Sequence, residues 1–367
     1  MTETYDLIVI GGGSAGLVAA GGVAALGARV ALIERNALGG DCLYKGCVPS
    51  KTLIKSARFA HQARAAKKYG FQPLEPKFLD DSFASITNRV QSVIEIIEHH
   101  DAPERFEKMG VEVVFGAPKF LNPFEIEVSL KNTNEKRLMK AKRFCISTGS
   151  RSFTPPIEGL FETGFITNEE VFRLKELPER LIVLGAGAIG MELGQSFARF
   201  GSKVTVVEMA DRILVKEDEE VSDLMEKLLR EENLEILTNT KAVKVHQAGS
   251  GAKVVTVESN GKTLEIEADE ILAAVGRQPN VDGLDLEKAG VEFDKKQIKT
   301  NDFLQTSQKH IFAAGDVTAH FNLRTWRITK RKSLSKTLSC RFCSKRKPIS
   351  VSCRGRLLPT RKSGVSD

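Results

Sequence analysis

Two separated stretches of this chain carry the same punctuation, and few folds accommodate it even once. YDLIVIGGGSAG, residues 5–16, and LIVLGAGAIG, residues 181–190, each run from a short β-rich segment into Gly-x-Gly-x-x-Gly and on into an apolar helix. Each returns through a second strand, RVALIE or KVTVVE, that ends on an acid, Glu34 or Glu208. Both are βαβ units. Glycine lets the backbone turn sharply and approach a pyrophosphate, amides at the helix start meet its charge, and the acid accepts from ribose hydroxyls. Gly11, Gly13 and Gly16 with Glu34 therefore read as one dinucleotide site, and Gly185, Gly187 and Gly190 with Glu208 as a second. An acid at Glu208 suits a free ribose diol and repels a 2′-phosphate, so NAD(H) is expected there over NADP(H).

Between and around these units the periodicity predicts helices over residues 50–68, Ser82–Met109 and Glu217–Glu232. VEVVFG, EIEVSL, RFCISTG, EILTNT, KVVTVES, LEIEA, EILAAVG and IFAAGD read as strands. The apolar run Leu7–Ile33 is long enough to be mistaken for a membrane span, but seven glycines and Arg29 break it into strand, turn, helix and strand. No membrane span is expected. Nor is a secretory signal, because Met1–Asp6 carries two acids and no basic residue.

The net charge of +7 invites a nucleic-acid reading until it is divided along the chain. Residues 322–367 hold 14 Lys or Arg against one acid, which leaves the remainder at −6. That segment has eight serines and no periodicity, and reads as a basic, disordered, low-complexity tail, closer to a frameshifted or truncated continuation than to a module. Nonspecific binding of nucleic acid or anionic lipid would belong to the tail alone. Cys340 and Cys343 form a C-x-x-C within it that reads as chance.

Six cysteines are too few for a disulfide scaffold and fit a reducing cytoplasm, where a surviving disulfide tends to be catalytic. Two of them stand in GGDCLYKGCVPSK, residues 39–51. C-x4-C with no histidine within ten residues is a poor zinc site, and no metal is expected. Two inert buried thiols are the ordinary alternative. The glycine-bounded turn ahead of a helix favours instead a reversible Cys42–Cys47 disulfide, because a helix N-terminus stabilises a thiolate.

VIGGGSAG, GGDCLYKGCVPSK, ISTGS, GAGAIGMELG, VGRQPN and IFAAGD, in this order, resemble the flavoprotein pyridine nucleotide-disulfide oxidoreductases of the dihydrolipoamide dehydrogenase and mercuric reductase type. The likeness spans roughly residues 4 to 321. It implies an α/β protein with two Rossmann-like domains, each a central parallel sheet with helices and a small antiparallel sheet. Residues 1–152 and 277–321 would form the FAD domain and 153–276 the NAD(H) domain. It implies Cys47 against the flavin, Cys42 exchanging with substrate, Lys51 near the reactive flavin nitrogen and Glu192 as its carboxylate partner. Gly40, Thr148, Gly149, Ser150, Gly276 and Asp316 would line the cofactors. The substrate would be a disulfide, a dithiol or a metal ion.

Members of this family continue into a dimerisation domain whose His-Pro-Thr segment and following Glu serve the partner's disulfide in a homodimer. Here the likeness ends near Phe321, no His precedes Pro, and neither His310 nor His320 matches that base. The resemblance therefore leaves two alternatives beside disulfide turnover: a flavoprotein with NADH diaphorase activity only, or a dinucleotide-binding remnant.

Overall fold

The structure is a computed structural model that describes residues 4–318. The sequence-predicted tail 322–367, with Cys340, Cys343 and Cys353, lies outside the described residues, as does His320. Among the described residues no helix is long and apolar enough to cross a membrane.

The first glycine turn sits in the middle of an eight-stranded sheet. Its parallel half runs in the order Val111–Asn122, Val30–Glu34, Leu7–Ile10, Phe144–Ile146, Ile311–Ala313. Leu7–Ile10 is buried at every position rather than alternately, the pattern of a strand covered on both faces. Val111–Asn122 pairs parallel with Val30–Glu34 through Phe115, then from Gly116 onward antiparallel with Glu125–Leu130. The small antiparallel sheet expected from the sequence is thus continuous with the parallel one. Lys136–Ala141 and Thr4–Tyr5 complete the far edge.

The second unit is a four-stranded parallel sheet in the order Glu235–Leu237, Lys203–Val207, Arg180–Leu184, Glu270–Ala273. A separate antiparallel sheet of Thr240–Gln247, Lys253–Ser259 and Lys262–Ala268 stands beside it. A two-stranded ribbon joins the units: Ser150–Ser152 leaves the first, Arg277–Pro279 returns to it, and the two pair antiparallel.

Two helices differ from their sequence expectations. The helix predicted over 50–68 begins earlier, at Cys47, and ends at Arg64. Pro49 is its third residue, where the missing N–H is one of the donors a helix start leaves without an intrahelical partner. The single helix predicted over Ser82–Met109 is two, Ala84–Glu98 and Pro103–Lys108. Pro103 is the cause: it drives Ala102 to ψ 140°, out of the helical region, and then opens the second helix. The strands Thr240–Gln247 and Lys136–Ala141 were not expected from the sequence; charged residues interrupt their apolar pattern.

One apolar core crosses from unit to unit. Leu53, Ala57 and Ala60 of helix Cys47–Arg64 and Val90 and Ile94 of helix Ala84–Glu98 pack with Leu193, Phe197 and Phe200 of helix Ala188–Phe200. At its centre Phe83 meets Phe197 at 5.8 Å and Phe200 at 5.3 Å between ring centroids. Arg64 Nη1 donates to the Arg199 carbonyl at 2.6 Å, satisfying a C-terminal acceptor of the opposing helix.

At the far edge of the large sheet, Glu112 accepts from Tyr5 Oη at 2.5 Å and from Arg137 Nη1 at 2.6 Å. Burial pushes the Glu112 carboxyl up, but the Tyr5 hydroxyl and the Arg137 guanidinium outweigh it and hold it below its usual range. A lowered carboxyl stabilises the fold above its unfolded-state pKa and loses that contribution as pH falls through the folded value. Glu112→Gln is therefore expected to flatten the loss of stability below about pH 4.3, read from urea midpoints across a pH series. Phe197→Ala is expected to cost about 3–5 kcal/mol in the same measurement; a loss near that of an exposed site would show that the shared core is not packed as described.

Candidate cofactor and dithiol site

Both glycine turns are built alike. A side chain on Gly11 would meet the Ser147 carbonyl at 2.4 Å, and one on Gly185 the Ala274 carbonyl at 2.8 Å, so each first glycine abuts the neighbouring strand end. Both have positive φ, +104° and +99°. A side chain on Gly16 or Gly190 would strike the Gly11 or Gly185 carbonyl, at 1.8 Å and 2.1 Å. The middle glycines differ: Gly187 has nothing within 4 Å of a would-be Cβ, and Gly13 only the Gly40 Cα at 3.9 Å. Gly13 and Gly187 cap helices Ser14–Ala24 and Ala188–Phe200, and neither helix start has a side-chain cap or an acid in its first turn. Uncapped amides beside an open middle glycine fit a dinucleotide pyrophosphate at both turns.

The terminal acids also correspond. Glu34 accepts from the Gly12 and Asn36 amides at 2.7 and 2.8 Å, and Glu208 from the Ala186 and Ala210 amides at 2.6 and 2.9 Å. Each carboxylate is thereby fixed to the rim of its own turn.

The cysteine segment is laid directly on the first turn. Gly39 N donates to the Gly12 carbonyl at 2.9 Å, and a Cβ on Gly40 would fall 2.7 Å from the Gly13 Cα. The chain then makes one short helix, Gly40–Tyr44, turns at Lys45 and Gly46, and enters helix Cys47–Arg64. Gly46 folds back on the short helix, since a Cβ there would lie 2.9 Å from the Asp41 carbonyl and 3.4 Å from the Cys42 Cα. Cys42 thus stands in the short helix and Cys47 on the first position of the long one, both half-buried. Tyr44 Oη donates to Glu98 at 2.7 Å, tying the segment to helix Ala84–Glu98.

Lys51 follows Cys47 by one helical turn, on the same helix face. Its Nζ lies 2.6 Å from both carboxylate oxygens of Glu192, which helix Ala188–Phe200 projects from the other unit. The sequence pairing of these residues, 141 positions apart, is a contact in the structure.

The remaining sequence-predicted positions gather at the ribbon. Thr148 Oγ1 donates to the Asn280 carbonyl at 2.7 Å, and the Asn280 amide donates to the Gly149 carbonyl at 2.9 Å. Ser150 Oγ donates to Asp316 Oδ2 at 2.9 Å. Gly276 stands at the ribbon's return, its carbonyl accepting from Phe153 N at 3.0 Å. Sequence reasoning missed Asp41 and Arg277, which pair across 236 residues, and Asn168, which donates to the Lys45 carbonyl at 2.8 Å. GRQPN marks only a turn in the sequence, and nothing local announces a partner so distant.

Comparison with known proteins agrees with this arrangement. The family described as pyridine nucleotide-disulphide oxidoreductase matches residues 5–334. A mercuric reductase of Bacillus cereus is 38% identical over 315 residues, 86% of this chain and 48% of that protein. A dihydrolipoyl dehydrogenase of Bacillus subtilis is 33% identical over 331 residues, 88% of this chain and 69% of that protein. The flavoprotein disulfide reductase RclA of Escherichia coli, solved as a Cu(II) complex, superposes with a TM-score of 0.79 at 28% identity, covering 92% of this chain and 71% of that one. The chain spans about half the length of the mercuric reductases it matches, 48% and 56% of two of them. With its two alike glycine turns and its thiol segment seated on the first, the chain belongs to the pyridine nucleotide-disulphide oxidoreductases.

Proposed function

We propose that the chain is an FAD-dependent oxidoreductase that exchanges electrons between NAD(P)H and a disulfide or dithiol substrate through Cys42 and Cys47. The observation that carries this reading is the backbone contact of Gly40 with Gly13, which seats the two cysteines on the first nucleotide turn. FAD at that turn, when bound, supplies the two-electron exchange with nicotinamide and with a thiol that no side chain can supply. Gly11, Gly13, Gly16 and Glu34 would hold its adenosine diphosphate part, and Thr148, Gly149, Ser150 and Asp316 its remainder. Gly185, Gly187, Gly190 and Glu208, with Gly276 nearby, would hold the nicotinamide nucleotide, with NAD(H) preferred because Glu208 stands where a 2′-phosphate would bring like charge.

The chain's own groups account for the sulfur chemistry. The Cys42 thiolate attacks a substrate disulfide and forms a mixed disulfide while one substrate thiolate leaves. The Cys47 thiolate then attacks the Cys42 sulfur, a second substrate thiol leaves, and the Cys42–Cys47 disulfide remains. The substrate gains two electrons and two protons, and the pair loses them. Lys51, held by Glu192, keeps a cation one turn from Cys47, where it favours the thiolate. The mercuric reductases among the relatives support a thiophilic metal ion as a second substrate class for the same dithiol.

The test is a visible spectrum of the purified chain before and after NADH. Bound yellow flavin and a long-wavelength thiolate-to-flavin band are expected; colourless protein after reconstitution with FAD would sink the reading. Cys47→Ser should abolish the band. Cys42→Ser should keep NADH-dependent reduction of an artificial dye while losing disulfide reduction, whereas equal loss of both would remove Cys42 from the exchange role. Lys51→Met should slow flavin reduction by NADH by about a hundredfold with flavin retained; an unchanged stopped-flow rate would reduce the Lys51–Glu192 pair to a surface contact.

A further inference from the structure

The sulfur chemistry above makes no use of Asp41, although it immediately precedes Cys42 and immediately follows the glycine that lies on the first nucleotide turn. A carboxylate there is a liability. Like charge beside Cys42 disfavours its thiolate, and like charge beside the turn opposes a pyrophosphate. Arg277, from the returning strand of the ribbon, meets this carboxylate in an ion pair.

The guanidinium is itself held on other sides. Arg277 Nη2 donates to the Ser150 carbonyl at 2.9 Å and Nε to Ser150 Oγ at 2.8 Å, while that hydroxyl donates onward to Asp316. Its side chain is only 14% exposed, so solvent and salt screen the pair weakly. The other charged groups that act on Asp41 are Glu169, Lys45 and Asp316. Lys45 is paired with Glu169, so those two largely offset each other, and Asp316 adds further negative charge. Burial pushes the Asp41 carboxyl up, and Arg277 is the largest influence in the opposite direction.

We propose that Arg277 is a positioning residue for the dithiol: it holds the Gly40–Tyr44 helix through Asp41 and cancels that carboxylate's charge beside Cys42 and the first glycine turn. The proposal rests on the reading of Cys42 as the exchange thiol, yet its test does not require turnover. The full chain is reduced, freed of reductant and treated with iodoacetamide across a pH series, and alkylation of Cys42 is followed by peptide mass spectrometry. Arg277→Gln is expected to raise the midpoint of the alkylation profile by about one pH unit and to slow reaction at neutral pH about five- to tenfold. Asp41→Asn alone should lower the midpoint, because Arg277 then stands unopposed by its partner. The double variant should return close to the parent profile, and Arg277→Lys, which keeps the charge, should stay near it.

An unmoved midpoint in Arg277→Gln, or a double variant shifted as far as the single one, would overturn the proposal. If Arg277→Gln does not fold, Asp41→Asn decides alone, since a midpoint that fails to fall is equally fatal. Absence of flavin binding would defeat the proposed function while leaving this thiol comparison fully readable.

Discussion

The site depends on two glycines that meet backbone to backbone. Because nothing but main chain separates Gly13 from Gly40, the turn that carries Cys42 takes its position from the central sheet and not from a flexible side-chain contact. Gly40 has φ +58° and Gly39 φ +108°, conformations that other residues adopt at a cost, so the segment is committed to this path. The contact also explains why two thiols stand in so cysteine-poor a chain. They are placed where a nucleotide turn ends and a helix begins.

The second unit repeats the first in its particulars and departs from it in one. Both terminal acids accept from the second amide of their own turn, and both first glycines abut the neighbouring strand. What the second unit lacks is a segment laid over its middle glycine, and Gly187 is accordingly open. It presents instead Glu192, one helical turn beyond its glycines, toward Lys51. The units therefore share a core of leucine and phenylalanine, an ion pair at its margin and a ribbon whose strands run out and back. Three kinds of contact hold one relative placement.

Much of this was legible in the sequence because the signals are local. The glycine turns, the acids that close them and the paired cysteines each occupy a window of a few residues whose geometry permits little else. Lys51 and Glu192 were legible only through family resemblance, since a helical lysine and a helical glutamate 141 residues apart carry no mutual signal. Where local pattern competed with backbone chemistry, the backbone prevailed. An amphipathic period ran through Pro103 and suggested one helix, but the residue before a proline cannot stay helical without strain. Pro49 misled in the opposite direction, since a proline in a first turn costs nothing that the helix had to give. Asp41 and Arg277 stayed hidden because charge pairing across a ribbon is a tertiary property.

Cys145, central in the parallel sheet, completes the account of sulfur in the described residues. Burial pushes its thiol up to about 12, so at neutral pH it is scarcely ionised and is shielded from solvent on every side. An electrophile or oxidant diffusing up to this part of the molecule finds nucleophilic sulfur only in the segment on the glycine turn. The fold thus sorts its cysteines by chemical insulation, keeping one as inert ballast in the sheet and leaving two to answer the environment.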